Sequence, residues 1–135
     1  MLEQIEYPSV HCKAQETYNF HKIAAILANY GYNGLWLNND WNGADGIAVH
    51  IDGISNFKSQ LKGSVSFAQK YRTKNLYIAF FEQGDLYIYP HDFILVQVEN
   101  DISDKTWLEK STYFQTKITK RFREILKPYK IPQAN

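Results

Sequence analysis

The chain has 135 residues, a length that suits one domain able to bury a core without metal or disulfide cross-links. Hydrophobic residues make up 44% and charged residues 21%, which excludes a disordered protein. The net charge of +1 hides an asymmetry, because residues 1–55 carry more acidic than basic side chains whereas the stretches 56–81 and 110–130 are basic. The single cysteine excludes an internal disulfide, no segment approaches a membrane span, and the N-terminus lacks signal-peptide features. We therefore expect a cytoplasmic protein that contacts no membrane.

The first predicted element is a helix over residues 14–30, ended by Gly31. Its apolar residues recur at helical spacing: Phe20, Ile23, Ile26, Leu27 and Tyr30. Glu16 falls on the same stripe and would then point toward the sheet as a metal ligand. The alternative for Glu16 is an acid in the first turn that favours the positive end of the helix dipole.

A strand over 35–37 and a turn-rich loop over 38–43 lead to a predicted hairpin. Its strands, 47–51 and 54–61, are joined by Asp52-Gly53, which suits a two-residue turn with positive φ at both positions. In that register Asp45 lies opposite Gln60, and Lys62 projects on the same side. A carboxylate, an amide oxygen and an ammonium group so arranged can hold a hard cation and position a water.

The elements after Gly63 are predicted from shorter patterns. Residues 65–72 are predicted as a short helix in preference to a continued strand. A hairpin of strands 76–81 and 86–89, a short strand over 93–98 and a closing helix over 111–127 follow. The closing helix would carry its apolar residues on one side: Phe114, Ile118, Phe122 and Ile125.

The two basic stretches are interpreted either as solvated faces or as surfaces that contact phosphate. Lysine and arginine supply most sequence-independent affinity for nucleic acid, so the second interpretation makes DNA the expected partner and RNA an alternative. The candidate nucleic-acid contacts are Lys58, Lys70, Arg72, Lys74, Lys117, Lys120, Arg121 and Arg123.

The remaining polar and aromatic candidates are weaker. The four histidines share no metal-ligand spacing and are expected at the surface or in packing: His11, His21, His50 and His91. We interpret Pro90-His91-Asp92 as a turn in preference to an acid/base pair. Trp41, in the polar loop beside Asp45, is the aromatic residue best placed to stack on an unpaired base.

Two short motifs resemble a known superfamily of nucleases. Gly43-Ala44-Asp45-Gly46 and Gln60-Leu61-Lys62-Gly63, preceded by the helix that ends at Gly31-Tyr32, resemble the PD-(D/E)XK nucleases. The Gln-x-Lys form is similar to the small stand-alone branch that contains Mrr-type endonucleases and archaeal Holliday junction resolvases.

The resemblance implies a fold and an activity. The fold would be restriction endonuclease-like α/β, with a four- to five-stranded mixed sheet flanked by an N-terminal and a C-terminal helix. The activity would be Mg²⁺- or Mn²⁺-dependent hydrolysis of DNA phosphodiester bonds. Many nucleases of this superfamily work as dimers, so the resemblance also implies a homodimer. Asp45 would be the metal-binding acid, Gln60 would replace the second acid, and Lys62 would orient the attacking water.

The replacement of an acid by Gln60 removes one negative charge from that metal site. Glu16, which matches the helix acid of this branch, or Asp40 would then have to reach the metal ion. The alternative is a catalytically inactive module of the same fold that binds nucleic acid or a protein partner through its basic surfaces. An interaction protein with no nucleic-acid role is a third interpretation.

Overall fold

Strands dominate the stretch between residues 32 and 90, and the α-helices lie outside it. The computed structural model describes residues 2–41 and 43–133, and the backbone alone for residues 38–41. In chain order the elements are α1 (Cys12–Ala28), β1 (Tyr32–Trp41), β2 (Ala44–His50), β3 (Asn56–Leu61), β4 (Val65–Ala68), β5 (Leu76–Glu82), β6 (Asp85–Pro90), α2 (His91–Val98), α3 (Asp104–Lys110), β7 (Thr112–Gln115) and α4 (Lys120–Leu126). No helix in these described ranges is long and apolar enough to cross a membrane.

Five strands form one mixed sheet in the order β1-β2-β3-β5-β6. The β3–β5 pair is parallel, and the other three pairs are antiparallel. Strands β4 and β7 form a separate two-stranded antiparallel sheet, which we call the small sheet. The predicted α/β class, with a five-stranded mixed sheet and flanking helices, is confirmed.

Both faces of the large sheet are covered, because alternate residues of β5 and β6 enter two different hydrophobic clusters. Ile78 and Phe80 pack with α2, α4 and the small sheet on one face. Ala79 and Leu86 pack with α1 on the other face. Each large apolar side chain buried in this way contributes about 1.5–3 kcal/mol to stability.

The hairpin of β2 and β3 has the predicted register but not the predicted turn. Ile47 pairs with Lys58 as expected. The strands stop earlier, however, and the amide of His50 donates to the carbonyl of Ser55 at 2.8 Å. Within Asp52-Gly53 only the glycine has a positive φ, because the Asp52 carboxylate accepts the amides at 54 and 55 and closes a wider loop. The register survives because the loop grows equally on both sides.

The β5–β6 hairpin uses the kind of turn that was predicted for the first one. Gln83 and Gly84 have φ values of 50° and 83°, and Glu82 pairs with Asp85 around them. Positive φ at both central residues matches the right-handed twist of the flanking strands. The predicted strands 76–81 and 86–89 are therefore confirmed.

Near the N-terminus one predicted element is confirmed and one is wrong. The helix predicted over 14–30 is present as α1, which begins two residues earlier. The loop predicted over 38–43 is wrong, because the backbone of β1 continues as a strand to Trp41. The pairing of β1 with β2 shifts between Trp36 and Trp41, so an irregularity in the ladder takes the place of the loop.

Three of the predictions for the second half of the chain are wrong. Residues 65–68 form a strand that pairs with the distant β7, with Val65 and Phe67 buried on either side of the less buried Ser66. The run 93–98 is helical, with Ile94, Leu95 and Val98 buried while Phe93 and Val96 stay exposed. The closing helix is interrupted, since residues 112–115 form β7 and the Thr119 side chain caps α4 by accepting the Phe122 amide.

Candidate functional site

A cavity of about 820 Å³ lies between α1 and the ends of β2, β3 and β5. We call it the acidic cavity after the two carboxylate residues that line it, Glu16 and Asp45; Lys22 and Lys62 also contribute to its lining. Gln60 and Lys62 also line it, so the structure brings together the four residues that the sequence singled out as catalytic or metal-binding.

Helix α1 lies close to the first two strands because glycines face it. A Cβ atom on Gly34 would lie 3.1 Å from the Cβ of Ala24, and one on Gly46 would lie 3.2 Å from the ring of Phe20. Larger residues at these two positions would push α1 away from the sheet. The glycines therefore set the distance between the helix wall and the strand wall of the acidic cavity.

Asp45 lies near the start of β2 and is half-buried. Its Oδ2 accepts a hydrogen bond from the backbone amide of Leu61 at 3.0 Å. This bond joins the carboxylate to the end of β3, the strand that carries Gln60. The side chain is thus held in place across the two strands without help from a ligand.

Gln60 has a buried amide oxygen with an unusual environment. Its Oε1 finds no hydrogen-bond partner within residues 2–41 and 43–133. Leaving a buried acceptor unpaired costs about 1–3 kcal/mol, so a cation or a donor that reaches this oxygen would recover that free energy. Gln60 belongs to the lining of a cavity that also contains the carboxylates of Glu16 and Asp45 and the ammonium groups of Lys22 and Lys62.

Lys62 follows β3 directly and is fixed by its backbone, whose amide donates to the carbonyl of Ala79 at 2.9 Å. Its Nζ lies 5.4 Å from the centroid of the Tyr71 ring, a cation–π contact. The contact holds the ammonium group beside the cavity while leaving its three donors available for a ligand.

Glu16 lies in the second turn of α1 and is exposed at the cavity wall. The first turn of α1 contains no acidic residue, so the interpretation of Glu16 as a first-turn acid is wrong. Asp40 and Trp41, the other loop residues considered, have side chains outside the described residues.

The donor set of the acidic cavity fits magnesium better than zinc. The described residues contain no group of three or more His, Cys, Asp or Glu side chains that could hold a metal ion. Mg²⁺ commonly takes one or two carboxylates and keeps several waters, whereas zinc sites need more nitrogen or sulfur ligands. The carboxylate of Asp45, the amide oxygen of Gln60 and the carboxylate of Glu16 are oxygen donors of the kind that Mg²⁺ prefers.

Some of the residues predicted to contact nucleic acid form ion pairs within the described part of the chain, and others do not. Arg72, Arg121 and Arg123 form surface ion pairs with Glu99, Asp101 and Glu82 respectively. Lys58 also has an interaction within the chain. The described part of the chain shows no ion pair for Lys70, Lys74, Lys117 and Lys120. A contact with phosphate would have to displace a carboxylate from each of the three arginines.

His91 has a structural role that the sequence did not reveal. It is fully buried at the start of α2, so the predicted turn is wrong while the expected packing role is confirmed. Its Nδ1–H donates to Asp92 at 2.8 Å, and its Nε2 accepts the amide of Ala68 at 3.1 Å. Burial lowers the pKa of His91, which keeps the ring neutral and able to accept that bond.

Comparisons of the chain with protein-family models, with curated proteins and with solved structures find no match. The resemblance to PD-(D/E)XK nucleases and the restriction endonuclease-like form of the α/β fold therefore stay predictions. Their support is the pair of sequence motifs that contain Asp45, Gln60 and Lys62, residues that line the acidic cavity.

Proposed function

We propose that the protein is a Mg²⁺-dependent nuclease that hydrolyses DNA phosphodiester bonds in the acidic cavity. The observation that supports this most is the buried Oε1 of Gln60, which has no hydrogen-bond partner among the described residues, in a cavity that the fixed carboxylate of Asp45 also lines. Lys62 and Glu16 on the same cavity walls complete a set of groups suited to this reaction.

Asp45, Gln60 and Glu16 would hold the metal ion, for which Mn²⁺ is an alternative. When bound, the ion supplies a charge that polarises a phosphate oxygen and lowers the pKa of a bound water. Lys62 orients the attacking water and offsets the negative charge that builds on the phosphate. The amide of Leu61 keeps Asp45 in position, so little reorganisation is needed when substrate enters.

The second candidate function is nucleic-acid binding by a catalytically inactive domain of the same fold. Two observations favour it: an amide stands where a second acid would be, and Glu16 is exposed. In that case the lysines without ion pairs would supply the affinity, and the acidic cavity would have no catalytic role.

A cleavage assay with a matched control distinguishes the two candidates. Purified protein is incubated with labelled linear, nicked, single-stranded and four-way-junction DNA, and with RNA, in Mg²⁺, Mn²⁺ or chelator. Wild type is compared with Lys62→Met and with Lys105→Met, which removes the same charge from an exposed position on α3.

The proposal expects metal-dependent cleavage that Lys62→Met lowers about 10²- to 10³-fold and Lys105→Met leaves unchanged. Cleavage that survives Lys62→Met would contradict it. Binding without cleavage of any substrate would support the inactive domain instead. Gel filtration of the same samples tests the homodimer.

A further inference from the structure

A second cavity, of about 170 Å³, lies beside the acidic cavity and shares Lys62 with it. Its walls come from the end of β3, the small sheet and the turn that follows β4. We call it the basic cavity, because lysines are its charged lining residues: it is lined by Lys62, Ser66, Lys70, Tyr71, Thr112 and Phe114, among others.

Two ammonium groups flank one aromatic ring in this cavity. The Nζ atoms of Lys62 and Lys70 each lie 5.4 Å from the centroid of the Tyr71 ring, which is almost fully buried. Neither lysine forms an ion pair with a carboxylate in the described ranges, and no acid lines the cavity. Two cations that line one cavity without a carboxylate among the described lining residues favour the entry of an anion.

An exposed aromatic side chain stands at the same cavity. Phe114 is 62% exposed, although its neighbour Tyr113 packs its ring against Phe122 in the core. Phe114 pairs with Ser66 across the small sheet, so it lies on the side of β7 away from that core contact. An exposed aromatic ring next to lysines is the combination that single-stranded nucleic acid recognises, by stacking a base and neutralising a phosphate.

We propose that the basic cavity binds an unpaired nucleotide of the substrate, with its phosphate at Lys62 and Lys70 and its base stacked on Phe114. The inference rests on the proposed nuclease function, because it makes Lys62 the residue that joins the cleavage site to the adjacent nucleotide. The substrate class is thereby narrowed to single-stranded nucleic acid or to duplexes with unpaired segments. A base inside a continuous duplex has both faces stacked and offers none to Phe114.

The test measures binding without catalysis. Fluorescence anisotropy in chelator compares a labelled single-stranded DNA oligonucleotide, its RNA counterpart and the matching duplex. The variants are Lys70→Met and Phe114→Thr, which keeps a residue suited to an exposed strand. Lys105→Met and Phe93→Ala are the controls, since Phe93 is an equally exposed ring on α2, outside both cavities. Circular dichroism confirms that each variant is folded.

We expect single strands to bind more tightly than duplex. Phe114→Thr should weaken single-strand binding about 5- to 150-fold, the range for loss of one stacked base. Lys70→Met should weaken it about tenfold at low salt and reduce the slope of log Kd against log salt concentration by about 0.7. The controls should match wild type, and the DNA and RNA arms show which sugar the cavity accepts.

Equal binding of single strand and duplex, or variants that bind like wild type, would overturn this inference while leaving the nuclease proposal intact. The same experiments also recognise the opposite case, in which the nuclease proposal fails and the basic-cavity inference holds. Single-strand binding that depends on Lys70 and Phe114, in a protein that cleaves nothing with any metal, would support the basic cavity and reject the nuclease.

Discussion

The two cavities that meet at Lys62 differ in their charged residues. Among the described residues, two acids, Glu16 and Asp45, and two lysines, Lys22 and Lys62, line the acidic cavity, whereas Lys62 and Lys70 and no acid line the basic cavity. The carboxylates and the unpaired amide oxygen of Gln60 are donors for a cation, and the basic cavity favours an anion. A phosphodiester chain with a divalent metal ion at one phosphate needs both environments side by side. The comparison therefore supports a division of roles, with chemistry in the acidic cavity and positioning in the basic cavity.

The largest effect that tests this division is expected from Asp45→Asn. Loss of the carboxylate removes the group proposed to hold the metal ion, so cleavage should fall about 10²- to 10³-fold. Single-strand binding in chelator should not weaken, because the basic cavity is untouched. Asp104→Asn, an exposed aspartate on α3, is the matched control for both assays. Parallel loss of binding and cleavage in Asp45→Asn would remove the distinction between the cavities.

The next largest effect concerns the hydrogen bond between His91 and Ala68, a residue that lines the basic cavity. His91→Phe removes the acceptor of the Ala68 amide and leaves that buried group unpaired, so the free energy of unfolding should fall by about 1–3 kcal/mol. Denaturant titration measures this change. His11→Phe, at an exposed position before α1, should stay within about 0.5 kcal/mol of wild type. A His91→Phe protein as stable as wild type would show that this hydrogen bond is dispensable.

A pH dependence follows from the same histidine. Burial holds the pKa of His91 below its ordinary value, so the unfolded chain takes up this proton first as the pH falls. The stabilising contribution is present above the unfolded pKa of about 6.5 and is lost below it, by at most about 1.4 kcal/mol per pH unit. The difference in unfolding free energy between wild type and His91→Phe should therefore shrink from pH 7.5 toward pH 5. A constant difference over that range would contradict the buried neutral ring.

A smaller effect sharpens the description of the acidic cavity. Gln60→Glu places a charged oxygen donor where the structure has an unpaired neutral one, so half-maximal cleavage should need about tenfold less Mg²⁺. Gln97→Glu, on the exposed surface of α2, adds the same charge at a distance and should leave the metal requirement unchanged. An unchanged requirement in Gln60→Glu would place the metal ion away from this strand.

The contrast between the cavities also shows how far the sequence alone could predict the structure. Asp45, Gln60 and Lys62 belong to one local hairpin, whose register follows from strand patterning on either side of a single turn. These three residues therefore line one cavity, as the hairpin register predicts. The predicted turn type was wrong because the Asp52 carboxylate accepts hydrogen bonds from the backbone amides of residues 54 and 55, and such bonds compete with ideal turn types.

The basic cavity could not be predicted in the same way. It depends on pairing between β4 and β7, which lie almost 50 residues apart in the chain, and no local pattern specifies such a pairing. Phe114 has a spacing to Ile118 and Phe122 that suits a buried helix face, so the sequence favoured a helix over the strand that forms. Lys70 was predicted as a phosphate contact from its charge. Its contact with the Tyr71 ring, which Lys62 also contacts, is visible only in the folded structure.

The most direct test of the account is a titration of Mn²⁺ into wild type and Asp45→Asn, followed by electron paramagnetic resonance of the free ion. The account predicts saturable binding of one Mn²⁺ per wild-type chain that Mg²⁺ displaces, and loss of that site in Asp45→Asn. Absence of a saturable site in wild type, or a site that Asp45→Asn retains in full, would contradict a metal centre in the acidic cavity.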